Sequence, residues 1–273
     1  MATQRADLLK QELRPDRSYR EYLPHPRLQD RVRALWTFEI PAGFAFSQAD
    51  HLILPDGCID IVEFHQAQNV RPNLVGAMRL PQRLVLEGPL TLIGIRFWPG
   101  GLRGLTALPL DHFTDTRISL SEIMLDWPEY EPDVCPFQRL TQIEHHILEQ
   151  TQNEKLDPLI QHLTQAVYSP HFHGDTGRLA RELGVSLRTL ERRSLAASGL
   201  SPKTLARVFR FERAAERLRK EDASLANIAM ELAYADQAHF SREFRSLAGQ
   251  SPRRFRAQAE AVAFLQDIRS QAR

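Results

Sequence analysis

Two short stretches, LRTLERR at 187–193 and QAHFSREF at 237–244, carry residue types suited to hydrogen-bonding with nucleic-acid bases. The first offers Arg188, Thr189, Glu191 and Arg192; the second offers Gln237, Ala238, Ser241 and Arg242. Arg pairs with the acceptors of guanine, Gln with the edge of adenine, and Ser or Thr serves either, all in the major groove. Each stretch is followed by a Ser-Pro pair, Ser201-Pro202 and Ser251-Pro252, with Lys203 and Arg253 next in the chain. Ser caps a helix and Pro suits its first turn. The free amides of such a helix start favour a phosphate.

Side chains of this kind read DNA only if something holds them on a fixed face, and the sequence supplies it twice. Leu179, Ala180, Glu182 and Leu183 recur as Ile228, Ala229, Glu231 and Leu232 at a spacing of 49. Leu190, Gly199, Ser201, Pro202 and Leu205 recur as Phe240, Gly249, Ser251, Pro252 and Phe255 at a spacing of 50. An internal repeat of this kind outranks any single motif. Each copy reads helix, tight turn, helix. Leu179 and Leu183 lie one helical turn apart, Gly184 ends that helix, and Ser186 caps the next over Leu187–Leu195. In the second copy Asp236 is the cap, with Phe240 and Phe244 buried. Between the copies, Leu205–Lys220 reads as one long helix with Val208, Phe211, Ala215 and Leu218 inward. Its arginines, Arg207, Arg210, Arg213 and Arg217, have phosphate or Glu212 and Glu216 as alternatives. Such a helix holds two recognition helices for successive major grooves, about 34 Å apart.

These residues resemble the double helix-turn-helix domain of AraC/XylS-type transcription regulators, most closely in AYADQAHFSREFRSLAGQSPRRFR at Ala233–Arg256. The resemblance covers roughly the last 40% of the chain. It implies sequence-specific DNA binding, with the second unit carrying the family signature. One departure is Ser194, which stands in the register of Phe244, where the family has a large apolar residue.

The chain as a whole has 273 residues and a net charge of +1. Divided at 154/155 it is lopsided. Residues 155–273 hold 20 Lys+Arg against 13 Asp+Glu, a net of +7, and residues 1–154 hold 15 against 21, a net of −6. The C-terminal part is therefore expected to meet a polyanion. Two cysteines, Cys58 and Cys135, argue against a secreted disulfide scaffold. A charged N-terminus lacks the apolar core of a signal peptide, and no run suffices to cross a bilayer. The expectation is a cytoplasmic protein without membrane contact.

Upstream, Arg31–Ile40 alternates as a half-buried strand apart from Leu35. Further strands are expected at His51–Leu54, Ile59–Phe64, Asn73–Val75, Arg83–Leu86 and Leu90–Phe97, separated by Pro55-Asp56-Gly57 and Gly88-Pro89. Ser119–Glu122 matches a capping box and predicts a helix start. Phe137–Gln150 predicts a helix, and Asp157–Val167 the first helix of the C-terminal domain, with the boundary in Asn153–Asp157. Leu54–Phe64 (LPDGCIDIVEF) and Ile93–Gly101 (IGIRFWPGG) resemble the cupin-like sensory domain of uncharacterised function found in some AraC-type regulators. The fold class expected is α+β multidomain. A cupin-like β-barrel with flanking helices occupies 1–154, and an all-α tandem helix-turn-helix domain occupies 155–273.

His51, Asp56, Cys58, Asp60, Glu63 and His65 are residue types that bind metals. They lack the histidine order of a metal-binding cupin and read instead as a turn, a small buried Cys58 and polar strand edges. His145-His146 and the pair His171 and His173 read as structural or surface groups. No catalytic, metal or cofactor site is assigned. The reading is a DNA-binding regulator, activator or repressor, acting on double-stranded DNA and responding through the β domain to an unidentified effector or partner. RNA polymerase and a second copy of the chain are the protein partners open to it. The alternative from another class is a metal-dependent cupin-like enzyme fused to a DNA-targeting module.

Overall fold

The computed structural model describes residues 18–257 apart from 44, 47–51, 67–68, 84, 124, 132–133, 170, 173 and 221–222. The N-terminal half is β-rich and the C-terminal half helical. Ten strands are described: β1 (Ser18–Tyr22), β2 (Val32–Ile40), β3 (Ala45–Phe46), β4 (Leu52–Ile53), β5 (Ile59–Gln66), β6 (Asn69–Val75), β7 (Gln82–Arg83), β8 (Leu86–Glu87), β9 (Leu90–Phe97) and β10 (Arg117–Ser119). Six form one antiparallel sheet in the order β1-β2-β9-β5-β6-β10, while β3 pairs with β8 and β4 with β7. Among the described residues no closed barrel forms, because β1 and β10 remain as sheet edges. This corrects the expected β-barrel.

Both faces of the central strands are covered. On one face Leu35, Ile61, Ile93, Ile95 and Phe97 join a core with the helix α1 (Pro136–Thr151) through Leu140, Ile143 and Ile147. On the other, Trp36, Phe38, Ile40, Val62 and Leu92 form a separate apolar cluster. Leu35 breaks the alternation of β2 for that reason: with each face buried, neighbours of opposite orientation are both apolar. Ser119–Glu122 opens no helix, a second correction. Ser119 ends β10 against Asn73, the Glu122 amide donates to the Ser119 carbonyl at 3.1 Å, and buried Leu120 and Leu125 draw the chain into a turn. The local capping preference yields to core burial.

A buried ion pair fastens α1 to the sheet. Glu63, on the helix-facing side of β5, accepts from Arg139 Nη2 at 2.7 Å, Trp127 Nε1 at 2.7 Å and His65 Nε2 at 2.8 Å. Burial pushes its carboxyl up, yet these hydrogen bonds hold it at about 2.

The helices after α1 are α2 (Pro158–Tyr168), α3 (Thr176–Glu182), α4 (Leu187–Ser198), α5 (Pro202–Lys220), α6 (Leu225–Glu231), α7 (Gln237–Ala248) and α8 (Pro252–Ala257). The core of the first helical unit is continuous with the sheet: Ile160, Leu163, Leu190, Leu205 and Phe209 lie in one cluster with Ile59, Phe97 and Leu110. The second unit has its own core of Val208, Phe211, Phe240, Phe244 and Phe255, touched from the β half by Leu54. Helix α5 contributes to both. At the junction Gly57 (φ +72°) leaves room for Phe209, whose Cε1 lies 3.0 Å from where a Cβ would stand. Arg33 of β2 pairs with Glu212 of α5.

Candidate nucleic-acid interface

Each helix pair is built from local signals. Asp175 and Ser224 cap α3 and α6 by accepting from the amides of Arg178 and Asn227. Ser186 then caps α4 by accepting from the Thr189 amide at 3.1 Å, and Asp236 caps α7 by accepting from the His239 amide at 2.6 Å. The turn between the paired helices needs a left-handed residue, supplied by Gly184 (φ +70°) in the first unit and by Ala233 (φ 55°) in the second. Both second helices end in a left-handed glycine, Gly199 and Gly249. Ser194 is accommodated by hydrogen bonds: its Oγ donates to the Leu200 carbonyl at 2.7 Å, and Ser198 Oγ donates to the Ser194 carbonyl at 2.8 Å. Ser194 is thus buried in the register held in the second unit by Phe244.

Both second helices present one open face. On α4 the outward residues include Arg188, Glu191 and Arg192, all exposed, whereas Thr189 is half-buried with Oγ1 2.9 Å from Ser186 Oγ. On α7 Gln237, Ala238 and Arg242 are exposed and Ser241 is half-buried. Sequence reasoning omitted three exposed members of these faces: Leu187 and Leu195 on α4, and Arg245 on α7. The helical rotation of 100° per residue places Leu187, Glu191 and Leu195 in one row and Gln237, Ser241 and Arg245 in the matching row. The periodicity is present in the sequence, but residue type alone does not mark an apolar side chain as exposed.

Contacts on the inner side set how these helices sit. Glu243 of α7 accepts from Arg210 Nη2 of α5 at 2.9 and 3.1 Å, and Arg207 donates to Ser246. Arg210 also lies 4.3 Å from the Tyr234 ring centroid. Arg217 pairs with Glu231 of α6, and Arg213 donates to the Ser169 carbonyl. On α4, Arg193 pairs with Asp157, the cap of α2. These arginines therefore serve packing. The helix-start residues are arranged alike: Ser201 Oγ accepts from the Thr204 amide at 3.2 Å and Ser251 Oγ from the Arg254 amide at 3.4 Å. Lys203, Ser251 and Arg253 are exposed and Ser201 is half-buried.

The described residues among the six weighed as metal ligands are engaged with arginines or with one another. His51 and His173 lie outside the described residues. Asp56 and Asp60 both pair with Arg96 of β9, at 2.8 and 3.1 Å. Cys58 is buried 3.6 Å from Arg33 Nη1, and Glu63 with His65 belongs to the Arg139 network. Among the described residues no group of three His, Cys, Asp or Glu is arranged around a metal position. No helix of the described residues is long and apolar enough to cross a membrane.

The two helix pairs, with capped second helices and matching open faces, define a tandem helix-turn-helix region. Residues 179–258 match a family described as a helix-turn-helix domain, and residues 20–119 match a domain of unknown function (DUF6597). The C-terminal region carries an AraC-type helix-turn-helix domain. It is 35% identical over 83 residues to the HTH-type transcriptional activator RhaS of Pectobacterium atrosepticum, and 37% identical over 83 residues to RhaS of Escherichia fergusonii. The alignment with the first covers 30% of this chain and 30% of that relative, so the chain spans less than a third of the length of the curated relatives it matches. Among solved structures, an AraC-type regulator from Chromobacterium violaceum is 26% identical with a TM-score of 0.35, covering 37% of this chain and 92% of that one. ToxT from Vibrio cholerae is 10% identical with a TM-score of 0.43, covering 88% and 98%.

Proposed function

We propose that this chain is a sequence-specific DNA-binding transcription regulator whose two reading helices, α4 and α7, enter successive major grooves. The observation that carries the reading is the pair of open faces bearing Arg188, Glu191, Arg192 and Gln237, Ala238, Ser241, Arg242, joined by the one helix α5. Thr189 completes the first face after its cap. Ser201, Lys203, Ser251 and Arg253 lie at the following helix starts, where backbone amides and cations suit phosphate.

Residues 1–154 and 155–273 are the two working parts in this reading, with the β-rich part as the sensory one. Its cupin-like character rests on the motifs at Leu54–Phe64 and Ile93–Gly101. An effector or partner bound there would act through the junction, because the first helix pair shares its core with the sheet. Pairing with a second copy, or contact with RNA polymerase, is the output such a regulator would use in a reducing cytoplasm. The test is selection from a random duplex library with the full chain, followed by titration of the enriched duplex at several salt concentrations. The expected result is strong enrichment and a steep linear loss of log affinity with log salt. Equal affinity for enriched and scrambled duplexes refutes the reading.

A further inference from the structure

We infer that α4 reads thymine, through its 5-methyl group, with Leu187 and Leu195 as the specificity residues of the first half-site. The inference deepens the DNA-binding reading and rests on it. Its observation is separate: two large apolar side chains stand open on the reading face, Leu187 at 41% and Leu195 at 37% exposure. The equivalent positions of α7, fifty residues on, are Gln237 and Arg245, both polar. The two reading helices thus share a frame and differ in chemistry.

Burial inside the protein accounts for only part of the surface of these leucines. The inward positions of α4 are taken by Leu190, Ser194 and Ser198, and Arg193 faces Asp157. Leu187 is the first residue of the helix, just after the Ser186 cap, the part of a reading helix that meets base edges. Leu195 stands two turns later on the same row, about 12 Å along the axis, with Glu191 between them. That length spans about three to four base steps. Of the groups on the major-groove floor, the thymine methyl is the apolar one, and contact with it removes both surfaces from water. Arg188 and Arg192 lie together on one side of the row, open to neighbouring bases or phosphate, and the buried stripe of Leu190 and Ser194 lies on the other. The first half-site is therefore T-containing, and the second, met by Gln237 and Arg242, is read through hydrogen bonds.

The experiment replaces thymine by deoxyuridine, one position at a time, in a duplex enriched by the full chain. This removes a methyl and keeps every hydrogen-bonding group. One or two positions in one half-site should lose about fourfold in affinity each, the worth of one methyl kept from water. In Leu187→Ala or Leu195→Ala that sensitivity should vanish at the matching position, while thymines of the other half-site behave as in the parent. Leu187→Gln, which copies Gln237, should also abolish it and favour adenine there. Unchanged thermal unfolding and unchanged affinity for the other half-site verify that the variants are folded. A selected duplex without thymine in that half-site, or deoxyuridine sensitivity unchanged in all three variants, overturns the inference. No enrichment at all strikes the DNA-binding reading itself.

Discussion

Glu212→Gln tests whether charge holds the β-rich half to the long helix α5. Glu212 and Arg33 retain only 12% and 10% of their side-chain exposure. Arg33 also lies 4.9 Å from the Trp98 ring centroid and 5.5 Å from that of Tyr168, and donates to the Asp56 carbonyl at 3.4 Å. Burial alone would push its guanidinium down. Glu212, the strongest of its partners, acts together with Cys58, Tyr168 and Asp56 to outweigh burial and hold it well above the ordinary value. Removing one member of a buried pair costs about 3–5 kcal/mol, because the other charge stays out of water. Here the aromatic faces and the carbonyl remain for Arg33, which favours the low end, about 3 kcal/mol. For a chain of this size that is roughly 6–12 °C in Tm. Urea unfolding of Glu212→Gln, Arg33→Met and the double variant gives a complete cycle. The double variant should be no less stable than Glu212→Gln, a coupling of about 2–3 kcal/mol. Additive losses, or a single loss under about 1 kcal/mol, would place the pair in the class of solvent-screened contacts and refute the junction argument.

Four further outcomes follow from the same structure. Ala233→Gly should stabilise by about 0.5–1 kcal/mol, since Ala233 sits left-handed at φ 55° where the first unit has Gly184; a loss in chemical denaturation contradicts it. Glu63 is held at about 2 in the fold against an ordinary 4.5, so its contribution is present above about pH 4.5 and lost as pH falls toward 2, roughly 3 kcal/mol in all. The stability gap between the parent and Glu63→Gln should shrink over that window, and a constant gap refutes the assignment. Arg242→Ala should cost about 1–3 kcal/mol for the enriched duplex and relax preference at one position; equal weakening on all sequences would make Arg242 a phosphate contact. Residues 155–273 alone should bind DNA with steep salt dependence, yet unfold at lower urea than the whole chain, because Ile160 and Phe209 lose their cover. Equal stability contradicts the shared core.

The helical half was legible because its signals are local. Caps at Ser186 and Asp236, glycines at 184, 199 and 249, and apolar spacing within each helix all act over a few residues, and two copies in register reinforced one another. The strands Ile59–Gln66 and Leu90–Phe97 were legible in existence, from apolar runs between turn residues. Their joining into one open sheet was not, since pairing partners lie far apart in sequence. Ser119–Glu122 shows the limit of a local rule: the capping residues are present, but Leu120 and Leu125 are drawn to the core first. The buried pairs Arg139–Glu63 and Arg33–Glu212 link positions 76 and 179 residues apart, and nothing in their local spacing announces them. On the open face of α4, the residue types of Arg188 and Arg192 are visible in the sequence, whereas the exposure of Leu187 and Leu195 is visible only in the fold.

The charge division needs the structure to become an argument about DNA. A net of +7 in residues 155–273 says nothing of where the cations stand. Several are committed inside the protein: Arg193 to Asp157, Arg210 to Glu243, Arg217 to Glu231 and Arg213 to a backbone carbonyl. The phosphate role open to the arginines of α5 is thus taken up by packing, and Glu212 turns to Arg33 of the other half. Arg188, Arg192, Lys203, Arg242, Arg245 and Arg253 are exposed, on or beside α4 and α7. Internal pairing therefore engages Arg210, Arg213 and Arg217 of the linking helix and leaves Arg188, Arg192, Arg242 and Arg245 open on α4 and α7. On the open face of α4, Leu187 and Leu195 are apolar positions beside Arg188, Glu191 and Arg192, and phosphate attraction does not explain them. They are what a reader of base methyls would add to a binder of backbone charge.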